Sequence, residues 1–160
     1  MEWSEVQIDD SLRLRLVASS DGIRAIDFHC SRPVFGSRND ANALIVETVR
    51  QLRAYFERRL RRFDIPLDLE GTDFQKRVWR QLETIPYGET RSYSQIAAAI
   101  GASRAIRATG AANGANPAPI VVPCHRVIGV SGKLVGYGGG LLLKQRLLQL
   151  EGALSLAIGI

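Results

Sequence analysis

Two spacings of apolar positions divide the chain into two kinds of segment. Leu12, Leu14 and Leu16 alternate with Arg13 and Arg15, Asp21-Gly22 supplies a tight turn, and alternation resumes from Ile23 to Cys30. That pattern predicts an antiparallel hairpin. Cys30, ending its second strand, reads as a packing residue. From Ala41 to Arg62 the positions Leu44, Ile45, Thr48, Leu52, Tyr55 and Phe56 fall mostly three or four apart, the stripe of one amphipathic helix. Its polar face ends in Arg58, Arg59, Arg61 and Arg62, which read as solvated charges compensating the helix dipole.

A connector with Pro66 and the carboxylates Asp64, Asp68 and Glu70 leads to Gly71. The domain boundary is placed there, giving an N-terminal α/β domain over 1–70 and a C-terminal domain over 71–160. Thr72 or Asp73 caps a predicted helix running to about Thr84, with Phe74, Val78 and Leu82 on one face. Ser92 to Ile100 reads as a short helix, Gly101-Ala102-Ser103 as a turn with a capping serine, and Arg104 to Gly114 as a second helix. This is helix-turn-helix spacing. The second helix is small-sided, with Ala105, Ala108, Gly110, Ala111, Ala112 and Gly114, so its backbone can approach a neighbouring helix or a nucleic-acid groove closely. Asn116-Pro117-Ala118-Pro119 breaks it, and Ile120-Val121-Val122 reads as a short buried strand delivering Pro123-Cys124-His125-Arg126-Val127. A glycine-rich loop from Gly136 to Gly140 precedes a last helix, Leu141 to Glu151.

Composition narrows the class. A chain of 160 residues, 46% apolar and 23% charged, is long enough for one domain or two small ones. Its apolar runs fall far short of the roughly 20 residues of a membrane span, and the N-terminus is acidic, so no membrane partner and no export signal are expected. Two cysteines provide no disulfide framework, and free thiols in the cytoplasm are the simpler expectation. The net charge of +5 is unevenly spread. Residues 1–70 carry eleven basic against twelve acidic side chains, residues 71–160 ten against four, and no carboxylate lies between Glu89 and Glu151. The C-terminal half therefore presents positive charge to a polyanion.

Cys124 is the candidate nucleophile, because it leaves an apolar segment beside His125 in the basic half, with Asn116 and Glu151 on flanking elements. A thiolate is the reactive form, and an adjacent imidazole or positive charge is expected to lower the thiol pKa. Glu151 is placed to accept the second imidazole N–H and fix the tautomer. Side chains of neighbouring residues on an extended segment point apart, so a bent backbone or a bridging water must join Cys124 to His125. Metal binding is the rival use of these groups. The soft ligands His29, Cys30, Cys124 and His125 come as two adjacent pairs, whereas structural zinc sites space the ligands of each pair about two to four apart.

Pro123-Cys124-His125-Arg126-Val127, preceded by Asn116-Pro117 and followed by Gly136-Tyr137-Gly138-Gly139, closely resembles the O6-alkylguanine-DNA alkyltransferases, also called methylated-DNA-protein-cysteine methyltransferases. The likeness runs from about Phe74 to Gly152 and takes in Ile85-Pro86-Tyr87-Gly88-Glu89, Ser92-Tyr93 and Arg107-Ala108. It implies an α+β fold: a small N-terminal antiparallel sheet with a helix, then a mainly helical DNA-binding alkyltransferase domain whose helix-turn-helix and short buried strand lead to the active cysteine. It implies direct, irreversible transfer of the alkyl group from guanine O6 to Cys124, with no cofactor. Some such proteins carry zinc in the first domain, but His29 and Cys30 are too few for a four-ligand site there, and no required metal is expected. His125 would act as base through a water, Glu151 would orient it, Asn116 would brace the turn, and Tyr93 would protonate the departing guanine. Arg107 would enter the duplex in place of the flipped nucleotide. Ala105, Ala108 and Ala111 would lie against the minor groove, with Ser103 and Ser92 among the DNA contacts. Tyr137 and Gly138, with Tyr93 and Val127, would line the base pocket. The expected partner is double-stranded DNA, met by a monomer; side-by-side binding and repair of O4-alkylthymine are left open. The competing readings are a helix-turn-helix regulator without transfer chemistry and a cysteine hydrolase.

Overall fold

The computed structural model describes residues 1–154, and the chain is α+β. It divides into two compact units, Met1–Glu70 and Gly71–Ile160. In the first, strands β1 (Glu2–Asp9), β2 (Leu12–Ala18), β3 (Ile23–Asp27) and β4 (Ser37–Arg38) form a sheet in the order β3-β2-β1-β4, followed by helix α1 (Ala43–Phe56). The sheet is mixed, because β4 joins β1 in parallel while the other pairs are antiparallel. β2 is central and buried at six of its seven positions. Leu14, Leu16 and Ile26 of the sheet and Ile45, Leu52 and Tyr55 of α1 are all buried, and apolar burial drives such packing at roughly 25 cal/mol per Å².

The alternation read from Leu12 locates β2 and β3, but β3 stops at Asp27, so Cys30 lies in the following turn and is half-buried. Arg13 is exposed, whereas Arg15 is buried. Its guanidinium pairs with Glu5 at 2.7 Å, donates to the carbonyls of Cys30 and Arg32, and lies 5.2 Å over the Trp3 ring. Gly22 is required by a close approach: a Cβ there would sit 2.7 Å from the Pro66 carbonyl oxygen, where the connector pairs with β3 through Ile23 N–H to Pro66 at 2.8 Å.

Helix α1 ends six residues before the expected Arg62. Arg58 takes φ +60°, and the N–H groups of Arg58 and Arg59 close on Tyr55 and Ala54 at 3.0 and 2.8 Å, a left-handed helix stop that glycine usually provides. Arg58, Arg59, Arg61 and Arg62 therefore follow the helix instead of lining it, and Arg53 is the basic residue of its last turn.

The second unit holds α2 (Asp73–Leu82), β5 (Arg91–Ser92), α3 (Tyr93–Ala99), α4 (Ile106–Gly114), a single 3-10 turn (Cys124–Arg126), β6 (Val127–Ile128) and α5 (Leu141–Leu150). Thr72 and Ser92 each cap a helix reciprocally with the glutamine three positions on, the two-way arrangement that satisfies end N–H groups. α4 packs on α2 and α3, and the Trp79 indole N–H donates to the Ala112 carbonyl at 2.8 Å. β5 and β6 pair in parallel.

Two expectations fail here. α4 begins at Ile106, after Ala105 and with no side-chain cap, so Ser103 does not cap it and is exposed. Ile120 to Val122 is no strand. Ile120 has φ +76°, Val122 N–H turns back to Ala118 at 2.9 Å, and Cys124 N–H to Val122 at 2.8 Å. Short apolar runs do not distinguish strand from other buried backbone, and prolines at 117, 119 and 123 favour turns.

Candidate active site

The candidate nucleophile, Cys124, sits where chain reversals concentrate. Pro123 leads into the 3-10 turn Cys124–Arg126, after which Val127 enters β6. The turn places Cys124, half-buried, next to a fully buried His125, and supplies the bend that an extended segment lacks.

Behind it lies a closed ionic group. His125 Nε2 stands 2.8 Å from Glu151 Oε1, and Arg126 grips the same carboxylate with Nη2 at 2.8 Å and Nε at 2.9 Å. Arg126 Nη1 donates to the Ile85 carbonyl at 2.7 Å. Burial would raise the Glu151 carboxyl, but hydrogen bonds from His125 and Arg126, with the charge of Arg126, outweigh it and hold the group at about 2. Glu151 is therefore a carboxylate, and a carboxylate only accepts, so Nε2 carries the imidazole proton. Burial keeps the ring below its ordinary pKa despite Glu151. His125 is thus neutral, with its lone pair on Nδ1, a buried atom without a hydrogen-bond partner.

Burial pushes the Cys124 thiol up, opposed by a hydrogen bond from Asn116 and by the charge of Lys144. The thiol of the free protein is protonated, against the expectation of a lowered pKa. A buried thiolate loses hydration, and the neighbouring imidazole, being neutral, offers no charge to offset that loss. Asn116 does hold the turn: its Nδ2 donates to Val122 O at 2.8 Å and its Oδ1 accepts from Ala118 N–H at 3.0 Å.

Lys144 and Arg126 are buried around the candidate site, and sequence reasoning missed both. Lys144 is fully buried, and its Nζ donates to the carbonyls of Val127 at 2.7 Å, Val135 at 3.0 Å and Gly136 at 3.3 Å. It ties β6 to the loop that carries Tyr137 and Gly138. Burial lowers its pKa to about 8. A lone lysine within Leu141-Leu142-Leu143-Lys144-Gln145-Arg146-Leu147-Leu148 was the available signal.

Tyr93 opens α3, and its hydroxyl donates to the Val135 carbonyl at 3.2 Å. Burial, with the nearby Cys124, raises its pKa, so it keeps its proton. Ser92 accepts from Gln95 N–H at 3.1 Å as the cap of α3. Tyr137 is half-buried and Gly138 exposed in the loop before α5, while Val127 is buried. On α4, Arg107, Ala108 and Ala111 are exposed, and Ala105, just before it, is half-buried. Among the described residues, no three His, Cys, Asp or Glu side chains gather as a metal site, and no helix is long and apolar enough to cross a membrane.

Known proteins match this architecture. Residues 73–153 match the 6-O-methylguanine DNA methyltransferase DNA-binding domain, and residues 13–69 the ribonuclease-like domain of the same proteins. A methylated-DNA–protein-cysteine methyltransferase of Mycolicibacterium paratuberculosis is 69% identical over 103 residues, 64% of this chain and 62% of that one. The chain thus matches less than two thirds of the length of such curated relatives. The crystal structure of Mycobacterium tuberculosis OGT in complex with DNA superposes with a TM-score of 0.87 at 46% identity, covering 95% of this chain and 93% of that chain. A second structure, of the Mycobacterium tuberculosis O6-methylguanine methyltransferase, gives 0.86 at 44% identity, covering 98% and 96%. With residues 13–69 and 73–153 matched by the two domains of these proteins, the chain belongs to the 6-O-methylguanine DNA methyltransferase family.

Proposed function

We propose that this protein repairs DNA by moving the alkyl group of an O6-alkylguanine onto Cys124, once and irreversibly. The observation that carries the reading is the buried His125, held at Nε2 by Glu151 at 2.8 Å, with an unpartnered Nδ1, in the same 3-10 turn as Cys124.

His125 Nδ1 takes the thiol proton through a water, and Glu151 stabilises the imidazolium that results. The sulfur attacks the alkyl carbon, the carbon–O6 bond breaks, and its electron pair passes into the guanine ring. Tyr93, which keeps its proton in this site, leaves Val135 and donates that proton to the ring, and the proton held by His125 returns through water to the tyrosinate. The products are guanine and an S-alkylcysteine. Sulfur has gained a bond that no group here hydrolyses, so each molecule acts once.

The partner is double-stranded DNA. A relative was crystallised in complex with DNA, and α4 carries exposed Arg107, Ala108 and Ala111 in the basic half of the chain. An alkyl carbon inside the base stack is out of reach of the sulfur, so the nucleotide must be flipped out, which costs a few kcal/mol that an inserted side chain offsets. Arg107 takes that place from the minor groove, with Ala105, Ala108 and Ala111 close to the backbone and Ser103 and Ser92 near the phosphates. Tyr137, Gly138 and Val127 receive the base, and the protein acts as a monomer.

Mass spectrometry after incubation with a duplex containing O6-methylguanine tests the reading. One methyl on Cys124 per molecule is expected; repeated turnover, or an unmodified cysteine, overturns it. Arg107→Ala is expected to slow repair in duplex by roughly one to two orders of magnitude, the flipping term, while leaving reaction with free O6-benzylguanine nearly unchanged. Equal losses would remove Arg107 from that role.

A further inference from the structure

Two asparagine amides, Asn113 in the last turn of α4 and Asn116 just beyond it, reach the Cys124 turn and the segment leading into it, and they differ in kind. Asn116 is fully engaged, giving Nδ2 to Val122 at 2.8 Å and receiving Ala118 N–H on Oδ1. Asn113 points its Nδ2 at the carbonyl of Cys124 itself, at a long 3.5 Å, and its buried Oδ1 has no hydrogen-bond partner.

Helix stability does not account for Asn113. Asparagine is a weaker helix former than the alanines beside it, and a buried amide with an unmet acceptor is unfavourable in any helix. The backbone around it is firmly set, since Trp79 holds the Ala112 carbonyl at 2.8 Å. The same helix exposes Arg107, Ala108 and Ala111, whereas Asn113 is buried. One element thus carries the candidate DNA face and a slack contact to the residue that reacts. Hydrogen bonds that serve a reaction are often long in the unliganded protein and tighten in the complex.

We infer that Asn113 is a positioning residue that couples the seating of α4 on DNA to the aim of the Cys124 sulfur. This rests on the alkyl-transfer reading above. When α4 is pressed against a duplex, Asn113 closes on the Cys124 carbonyl and fixes the 3-10 turn. Asn116 braces the same turn whether or not DNA is bound.

The test compares single-turnover rates of the full chain on saturating duplex containing O6-methylguanine and on free O6-benzylguanine. Asn113→Ala is expected to lower the duplex rate about fivefold to tenfold, the range of one lost hydrogen bond. The free-base rate should change by less than about twofold and the affinity for undamaged duplex should hold, since neither depends on this contact. Asn113→Gln, which retains an amide donor, recovers part of the loss. Asn113→Leu, which keeps the volume without the donor, provides a second variant should the alanine protein not fold, and shows the same split. A loss shared by both substrates, a loss confined to affinity, or a Gln variant no better than Ala overturns the inference. A wild-type protein that alkylates Cys124 with neither substrate would instead overturn the alkyl-transfer reading.

Discussion

Glu151→Ala is expected to lower stability by about 3–5 kcal/mol, because it strands a guanidinium and an imidazole in the interior. Glu151 is buried and accepts from His125 Nε2 and from two nitrogens of Arg126. For a chain of this size each kcal/mol moves Tm by about 2–4 °C, so a fall on the order of 10 °C should appear in a thermal melt. Glu151→Gln separates chemistry from folding. It keeps the volume but removes the charge that assigns the proton to Nε2, and repair should slow by roughly two to four orders of magnitude with a much smaller loss of Tm.

Acid should act on the same group with a definite sign. The folded carboxyl sits at about 2 against its ordinary 4.5, so the unfolded chain binds more protons in that interval and the stabilisation, complete above 4.5, is lost as pH falls toward 2. His125, held below its ordinary 6.5 by burial, works in the same direction and begins earlier, since the unfolded imidazole protonates first. Urea midpoints should decline below about pH 6.5, and the lower part of that decline should vanish in Glu151→Gln.

Lys144→Met carries the second large expected effect, on rate as well as on structure. The buried Val127 carbonyl loses its ammonium donor, at about 1–3 kcal/mol for a buried acceptor left unmet, and the Tyr137 loop loses its tie to β6 through Val135 and Gly136. The same ammonium opposes the burial that raises the Cys124 thiol. Removing it disfavours the thiolate further, so the pH–rate curve should move to higher pH, with about tenfold loss at neutrality for each unit moved. A curve that keeps its midpoint while only its height falls would confine Lys144 to holding the loop.

Legibility in the sequence followed the range of the interaction. Strand β2 and helix α2 were readable because Leu12, Leu14 and Leu16, or Thr72 with the turn that follows, act on near neighbours. The first forty residues read as strands, but the bounds of β1 could not be set, since Glu2-Trp3-Ser4-Glu5-Val6-Gln7 has too few apolar positions to alternate. The overlong α1 arose from good helix formers at 58–62, which continue a pattern that the backbone abandons at Arg58. Glu151 was placed near His125 by residue type; the 2.8 Å contact spans 26 positions of sequence, which no spacing rule encodes. Arg126 was passed over because an arginine in a basic stretch reads as surface. Asn113 stood out only as part of Asn113-Gly114-Ala115 before the Asn-Pro pair, with no role to read, because its partner is a main-chain carbonyl.

Helix α4 has a further property that concerns time more than place. Its nine residues include two glycines, with no side-chain cap and no acidic residue in the first turn. Each glycine weakens a helix by about 1 kcal/mol relative to alanine, so its order is borrowed from neighbours such as Trp79. Such an element opens on its own, below the threshold of whole-domain unfolding. In hydrogen–deuterium exchange its amides should trade sooner than those of α2, and a bound duplex should slow them most.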